Sequence, residues 1–415
     1  MSAVITPSLK SHRQVGMVRI GLGLLLGTIA YTAPISAGIS VLLPARIAQM
    51  FPDDKVQMLA LLTIIASIVS LVTVVAFGTF SDLTRSRFGS RTPWIVGGAL
   101  ASAIFVIPVA LVDGYAAMTF WWCLVVAGVS ATAAAVATIL PERVPVSKRA
   151  TLSAVVGVAV LVGTALGTIV GSLFVTDMQA GFIIICASGL VMALASAVVA
   201  PDTPNTGATR ARPRVRVILS TIRFPRRAPD FYWALWGRLA LVIGYFMVNG
   251  FQFYIFTDYL HVSEEAAAAA LGLNSIIFLA TALVGAAVTG PVSDHFGRRK
   301  AFVILASVLA IIAVAIPAII PTQAGMIGFA IVGGLAFGSY YAVDAALTSE
   351  VLPDVDTQGR DLALLNTANT GGQAIAPAAS AALVAIGIGF FPVFIGAIVF
   401  MGIAIACVPP IKSVR

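Results

Sequence analysis

The sequence predicts an all-α membrane protein of about twelve transmembrane helices in two pseudo-symmetric six-helix halves. Three observations lead there. Hydrophobic residues make up 59% of the 415 and charged residues 10%, and the mean hydropathy is +1.02. A soluble domain carries about a quarter charged residues, so this chain has too little polar surface to face water. Apolar runs of about twenty residues recur along it, long enough to cross the hydrocarbon core as helices. The runs lack period-two alternation, which excludes the barrel solution to backbone hydrogen bonding in lipid. Short charged motifs also return at nearly one offset, 212 residues for the first of them, once four extra residues in the first copy are allowed.

The expected spans are 18–48, 57–80, 93–112, 115–140, 151–175, 180–200, 231–257, 266–292, 301–320, 323–347, 362–386 and 389–409. They divide the chain into an N-terminal half, 1–200, a basic linker, 201–229, and a C-terminal half, 230–415. The linker carries Arg210, Arg212, Arg214, Arg216, Arg223, Arg226 and Arg227 among prolines. Arg46, Lys55 and Arg238 aside, the lysines and arginines lie in the N-terminal segment, in the loops after even-numbered spans, and at the C-terminus. The positive-inside rule then places both termini and the linker in the cytoplasm of a multi-pass protein in the cytoplasmic membrane. The first apolar run is too long for a cleavable signal peptide, and its start beside Arg19 reads as a signal anchor. The net charge of +8 therefore reflects topology and not nucleic acid. Cys123, Cys186 and Cys407 all fall inside apolar runs and read as small core residues.

The halves repeat. "GTFSD" at 78–82 returns as "GPVSD" at 290–294, and "FGSR" at 88–91 as "FGRR" at 296–299. "LPERVPVSKRATL" at 140–152 matches "LPDVDTQGRDL" at 352–362, with Arg149 aligned on Arg360. Both copies start on the same side, so the repeats are parallel, the plan of one class of transporters.

Gly78, Asp82, Gly89 and Arg91, echoed by Gly290, Asp294, Gly297, Arg298 and Arg299, resemble the signature of the major facilitator superfamily between its second and third helices. The resemblance covers nearly the whole chain. It implies that helices one, four, seven and ten line a central cavity, with eleven often contributing. The longer form "SDLTRSRFGSRTPW" is most similar to the glycoside–pentoside–hexuronide cation symporters and the sucrose-type carriers. "LPDVDTQGRDLALLNTAN" is similar to related bacterial members. Sodium-coupled sugar symporters carry acidic residues within their second and fourth helices. Spans 57–80 and 115–140 have none, so that sodium site is not carried over.

The motif has a physical rationale. A helix N-terminus exposes unpaired N–H groups and partial positive charge. Asp82 is expected to cap the eleventh span, near Asp361, and Asp294 the fifth, near Arg149. Arg85, Arg149 and Arg360 add charge to this inner gate. The bland alternative is that the arginines only set topology. Arg46 and Asp258, at the outer ends of spans one and seven, are also 212 apart. They form either an outer latch or two solvated rim charges.

Ionisable residues inside a membrane are functional candidates. Asp344, late in the tenth span, is the candidate proton carrier, or else it pairs with Arg238; Glu350 is expected at the interface. Tyr245, Asn249 and Gln252 share a face of the seventh span with Arg238 and Phe256. Asn366, Asn369 and Gln373 share one on the eleventh. Tyr340 and Tyr341 join from the tenth, Tyr31 and Thr32 from the first, and Trp121, Trp122 and Ser130 from the fourth. Amides beside aromatic rings suit a neutral, hydroxyl-rich solute, and such amides also join helices in membranes. The two tryptophans read as an interfacial belt. Gly163, Gly167 and Gly171 fit close helix packing better than an antiporter motif, which would have Pro where Thr168 stands.

No Walker A loop, metal-ligand spacing or nucleophile elbow occurs, so neither an ATP-driven pump nor an enzyme is expected. No cofactor or metal is expected. The expectation is a monomeric secondary transporter whose partners are a small-molecule solute, the bilayer and candidate coupling protons. Export of amphipathic compounds is the alternative, and a non-transporting receptor or scaffold is the other class.

Overall fold

The computed structural model describes residues 16–206, 228–351, 358–387 and 389–411, excluding the side chains of 146, 150, 294, 345–351, 358–363 and 366. Among the described residues these helices follow one another: α1 (Met17–Met50), α2 (Lys55–Leu83), α3 (Thr92–Leu111), α4 (Tyr115–Arg143), α5 (Val146–Leu173), α6 (Met178–Val199), α7 (Pro229–Asn249), α8 (Glu264–Phe296), α9 (Arg299–Ile319), α10 (Gln323–Val351), α11 (Gln358–Val384) and α12 (Phe391–Ala406), and the first ten are long and apolar enough to cross a membrane. The chain is an all-α multi-pass membrane protein. The arginine-rich linker positions Arg210 to Arg227 and the side chains of Asp294, Arg360, Asn366 and Glu350 lie outside the described residues.

Local chemistry starts and stops these helices. Pro93, Pro229 and Pro392 occupy the first turns of α3, α7 and α12, where a missing N–H costs nothing. Asp177 accepts from the Ala180 N–H at 3.1 Å and Ser263 from the Ala266 N–H at 3.4 Å, so each caps a helix start. Gly297, at φ +61, ends α8 in a left-handed turn, which glycine adopts without strain.

Packing repeats between the halves. In the first, α1 packs on α5 and α6, α3 on α4 and α6, and α2 on α4. In the second, α7 packs on α11 and α12, α9 on α10 and α12, and α8 on α10. Adding six to each helix number converts one set into the other. The halves meet through α2 against α11 and α5 against α8, a pair of contacts that the same operation exchanges.

Two predicted spans are interrupted. The first contains a π turn at Gly38–Leu42. The Trp122 ring fills the space over Gly38, where a Cβ would overlap it. Trp122 is 1% exposed and packs edge-on to Phe182, so it is a core residue and not a belt residue. The seventh span ends at Asn249; after Gly250 it resumes as a single turn, Gln252–Tyr254, and a π turn, Ile255–Tyr259. The stripe running from Arg238 to Phe256 is therefore broken, and Phe256 is buried.

The fifth-span glycines are packing surfaces. A Cβ on Gly163 would overlap the Thr32 hydroxyl, one on Gly167 the Ala33 carbonyl, and one on Gly171 would lie 3.2 Å from the Ala37 carbonyl. Each lets the backbone of α5 approach α1.

Candidate gates and solute site

The loop between α2 and α3 is organised by one arginine. Arg91 is 4% exposed. Its guanidinium pairs with Asp82 at 2.6 Å, with Glu142 at the end of α4, and with the Ser81 hydroxyl at 2.8 Å. Burial disfavours its charge, but hydrogen bonds and Coulomb attraction from Glu142 and Asp82 outweigh that and raise its pKa. Asp82 thus pairs within its own half here; the side chains at the start of α11, where the cap is expected, lie outside the described residues. Glu142 was missed by sequence reasoning, although it lies in the repeated "LPER" segment. Arg85 donates to the carbonyls of Asp82, at 3.0 Å, and Thr84, at 3.2 Å.

Gly89, at φ +84, and Gly297, at φ +61, hold the left-handed turns of the two motif copies. Gly78 has open space around it, and Gly290 only the Ala342 methyl at 3.9 Å. Arg149 turns to the backbone of its own half. It donates to the carbonyls of Val144, at 3.1 Å, and Pro141, at 2.7 Å, because the last carbonyls of α4 lack helical partners.

At the opposite, acidic end the expected latch is corrected. Asp258 pairs with Lys55 at 2.6 Å, and not with Arg46. Arg46 turns back to the Val112 carbonyl at 2.7 Å and lies 3.9 Å from Asp113. Both carbonyl and carboxylate belong to its own half and lie within the reach that the short tip of α1 allows. The Lys55 ammonium also sits 5.4 Å over the Tyr254 ring. Tyr254 donates to the Pro44 carbonyl at 2.9 Å, and Gln49 to Glu264 at 3.4 Å. These contacts join the halves at the acidic end. Toward the basic end, α2 has no buried residue between Ala66 and Ser81. There Ile68, Leu71, Val72 and Val75 are exposed, as are Val284 and Val288 of α8.

Between the two ends lies an aromatic and amide cluster. Tyr245 stacks on Phe337 of α10, ring centroids 3.9 Å apart, and Asn249 donates to the Tyr245 hydroxyl at 2.8 Å. Phe337 also meets Tyr341 edge-on at 4.9 Å, and Tyr341 remains 46% exposed. Tyr31, Gln252 and Asn369 are half-buried and Gln373 is exposed. Tyr245, Asn249 and Tyr341 are therefore brought together. Gln252 is displaced from them by the break at Gly250.

Deeper toward the basic end, Arg238 of α7 pairs with Asp344 of α10, both buried. The pairing alternative for Asp344 is the one the geometry adopts. A cavity of about 20 Å³, lined in part by Trp233, Ser307 and Tyr340, lies beside the pair and has room for one water.

Known proteins agree with this architecture. The model of the Major Facilitator Superfamily matches residues 20–277 and 242–413. A crystal structure of a bacterial homolog of the human lysosomal transporter Spinster, inward-facing and unoccupied, is similar with a TM-score of 0.70 and 15% identity, covering 94% of this chain and 96% of that one. Its inward-facing, occupied counterpart gives 0.64 and 17%, covering 94% of each chain. A fungal MFS transporter, asaE of Aspergillus flavus, is 26% identical over 164 residues. That match covers 38% of this chain and 35% of the relative, so the chain spans about a third of that relative's length. The paired six-helix packing and a family match extending over both halves carry the assignment: the chain belongs to the major facilitator superfamily.

Proposed function

We propose that the protein moves a small neutral organic solute across the cytoplasmic membrane by alternating access, with both termini and the linker in the cytoplasm. The carrying observation is the Tyr245–Phe337–Tyr341 cluster with Asn249, which offers ring faces and an amide without a charged side chain. A charged solute would lose hydration there, and the charges beside Tyr341, those of Arg238 and Asp344, already neutralise each other. Rings stack on sugar faces and amides pair with hydroxyls, which favours a glycoside-like solute. The lack of acidic residues within spans 57–80 and 115–140 leaves a second reading, export of amphipathic compounds. Among the described residues Asp344 is the one buried carboxylate. It is the proposed proton site, acting when its pair with Arg238 opens.

The test is a thermal-shift panel of sugars and amphipathic drugs, since a ligand of the folded state raises the melting temperature. Flux in proteoliposomes with and without a pH gradient follows. Stabilisation by glycosides with matching flux is expected. Stabilisation by amphipathic drugs alone would replace the first reading with the second, and binding without flux would overturn transport.

The contacts at the acidic end support an inward-open state, held by Lys55–Asp258. Lys55→Ala is expected to shift the population toward the outward-open state. Asp82→Asn, which removes a cap proposed for the inner-closed state, is expected to shift it the other way and cut transport. Lys55 and Asp258 are partly exposed, so each shift is modest, on the order of 1 kcal/mol or less. Spin-label distances across both mouths check the signs. Shifts in one direction for both variants would defeat the two-gate reading.

A further inference from the structure

The segment that leaves α6 is built into the gate loop. Asp202 accepts from the backbone N–H of Arg91 at 3.0 Å with one carboxylate oxygen, and from the N–H of Thr203 at 2.9 Å with the other. Asn205 holds the loop by both ends of its amide. Its oxygen accepts from the Ser86 N–H at 2.9 Å and its nitrogen donates to the Thr84 carbonyl at 2.9 Å. Its own N–H donates to the Ser86 carbonyl at 3.3 Å. Gly89 lies so close to Asp202 that a Cβ would overlap the carboxylate, so the turn and the strap are fitted to each other.

The strap is itself anchored. Arg143 at the end of α4 donates to the carbonyls of Ala200, at 3.2 Å, and Pro201, at 2.9 Å. Arg19 at the start of α1 donates to that of Val199 at 2.9 Å. Two helices, α4 and α1, thus fix the strap where it leaves α6, and the strap grips the backbone of the loop at Thr84, Ser86 and Arg91. Arg91 is also the residue that holds Asp82 and Glu142.

We infer that Asp202 and Asn205 are positioning residues of the inner gate. They clamp the loop between α2 and α3 so that Asp82 is presented to the opposite half when the basic end closes. A short surface loop without such a clamp samples many backbone conformers, and closing the gate would have to order them at an entropic cost. The clamp removes that cost before closure, so its loss disfavours the closed state selectively. This inference rests on the gating role proposed for Asp82.

The test uses the full chain in lipid nanodiscs, with spin labels on exposed Val75 of α2 and Val288 of α8. Asn205→Ala and Asp202→Ala are expected to raise the ratio of basic-end-open to basic-end-closed molecules on the order of fivefold, at unchanged melting temperature. Asn205→Asp keeps the bond from the Ser86 N–H and loses the one to the Thr84 carbonyl; it is expected to lie between. Should Asn205→Ala fail to fold, Asn205→Asp carries the test. An unchanged distance distribution in the strap variants, beside a shift in Asp82→Asn, would overturn the clamp and leave the gate standing. No shift in Asp82→Asn either would overturn both.

Discussion

Asp344→Ala is expected to lower the stability of the purified protein by about 3–5 kcal/mol, because it leaves the Arg238 guanidinium buried without its counter-charge. Arg238→Ala is expected to do the same from the other side. Both side chains lie within the helix bundle, and the single water that the adjoining cavity has room for does not supply the lost charge. The double variant Arg238→Met with Asp344→Leu removes both charges and fills a similar volume. Its melting temperature in detergent is expected to recover most of the loss, since apolar replacements of a buried pair are often neutral or better. Flux then separates the roles. A pair that only joins α7 to α10 predicts that flux recovers along with stability. The proton site proposed at Asp344 predicts a folded double variant that no longer responds to a pH gradient, and that is the expected result. Recovery of gradient-driven flux in the double variant would remove Asp344 from the mechanism.

Gly167→Val is expected to destabilise the N-terminal half by about 1–3 kcal/mol, with more possible only if α5 separates from α1. A Cβ at Gly167 meets the Ala33 carbonyl, which is backbone and cannot rotate away. Ser36 donates to the Thr164 carbonyl at 2.8 Å and shares a buried hydrogen bond with the Thr168 hydroxyl at 2.9 Å in the same interface, so separating the helices also breaks those bonds. Gly157 lies ten residues earlier on α5 with nothing within 4 Å of an added Cβ. Gly157→Ala is therefore expected to be neutral or to stabilise, by up to about 1 kcal/mol of helix propensity. Thermal melting of the two variants checks the contrast. Equal melting temperatures would show that α5 packs on α1 less closely than the geometry requires.

Much of the architecture was legible in the residues. Apolar run length specifies a span because lipid offers the backbone no hydrogen bonds. The recurrence of "GTFSD" as "GPVSD" announced the two halves, and these pack by matching rules. The interruptions were missed. The π turn at Gly38–Leu42 was not read, although Pro44 just after it lacks an N–H, and the close fit of the Trp122 ring over Gly38 comes from α4. The break after Asn249 likewise divided a stripe that a continuous helix would have kept on one face.

At the sites the division is sharper. Arg91 and Asp82 were marked by their motif, yet Glu142 entered only through the packing of α4 beside that loop. Asp258 was picked out as one member of an ion pair at the end of its span, and its partner was not. Symmetry pointed to Arg46, whereas distance chose Lys55, because the tip of α1 turns Arg46 back to Val112. Asp202 and Asn205 were read as linker. Their role depends on a fold that returns the end of α6 to a loop over a hundred residues earlier.

Composition, run length and repeated motifs by themselves determined that this chain is a two-half helical membrane protein with a charged loop at one end of each half. Those are properties of segments, set by transfer of side chains into lipid and by local backbone geometry. The tertiary structure alone decided which charge meets which, where Tyr245 and Asn249 point, and which end of the halves is joined. Those depend on distances of a few ångströms between helices far apart in sequence, and electrostatic and hydrogen-bond energies fall away over that same range.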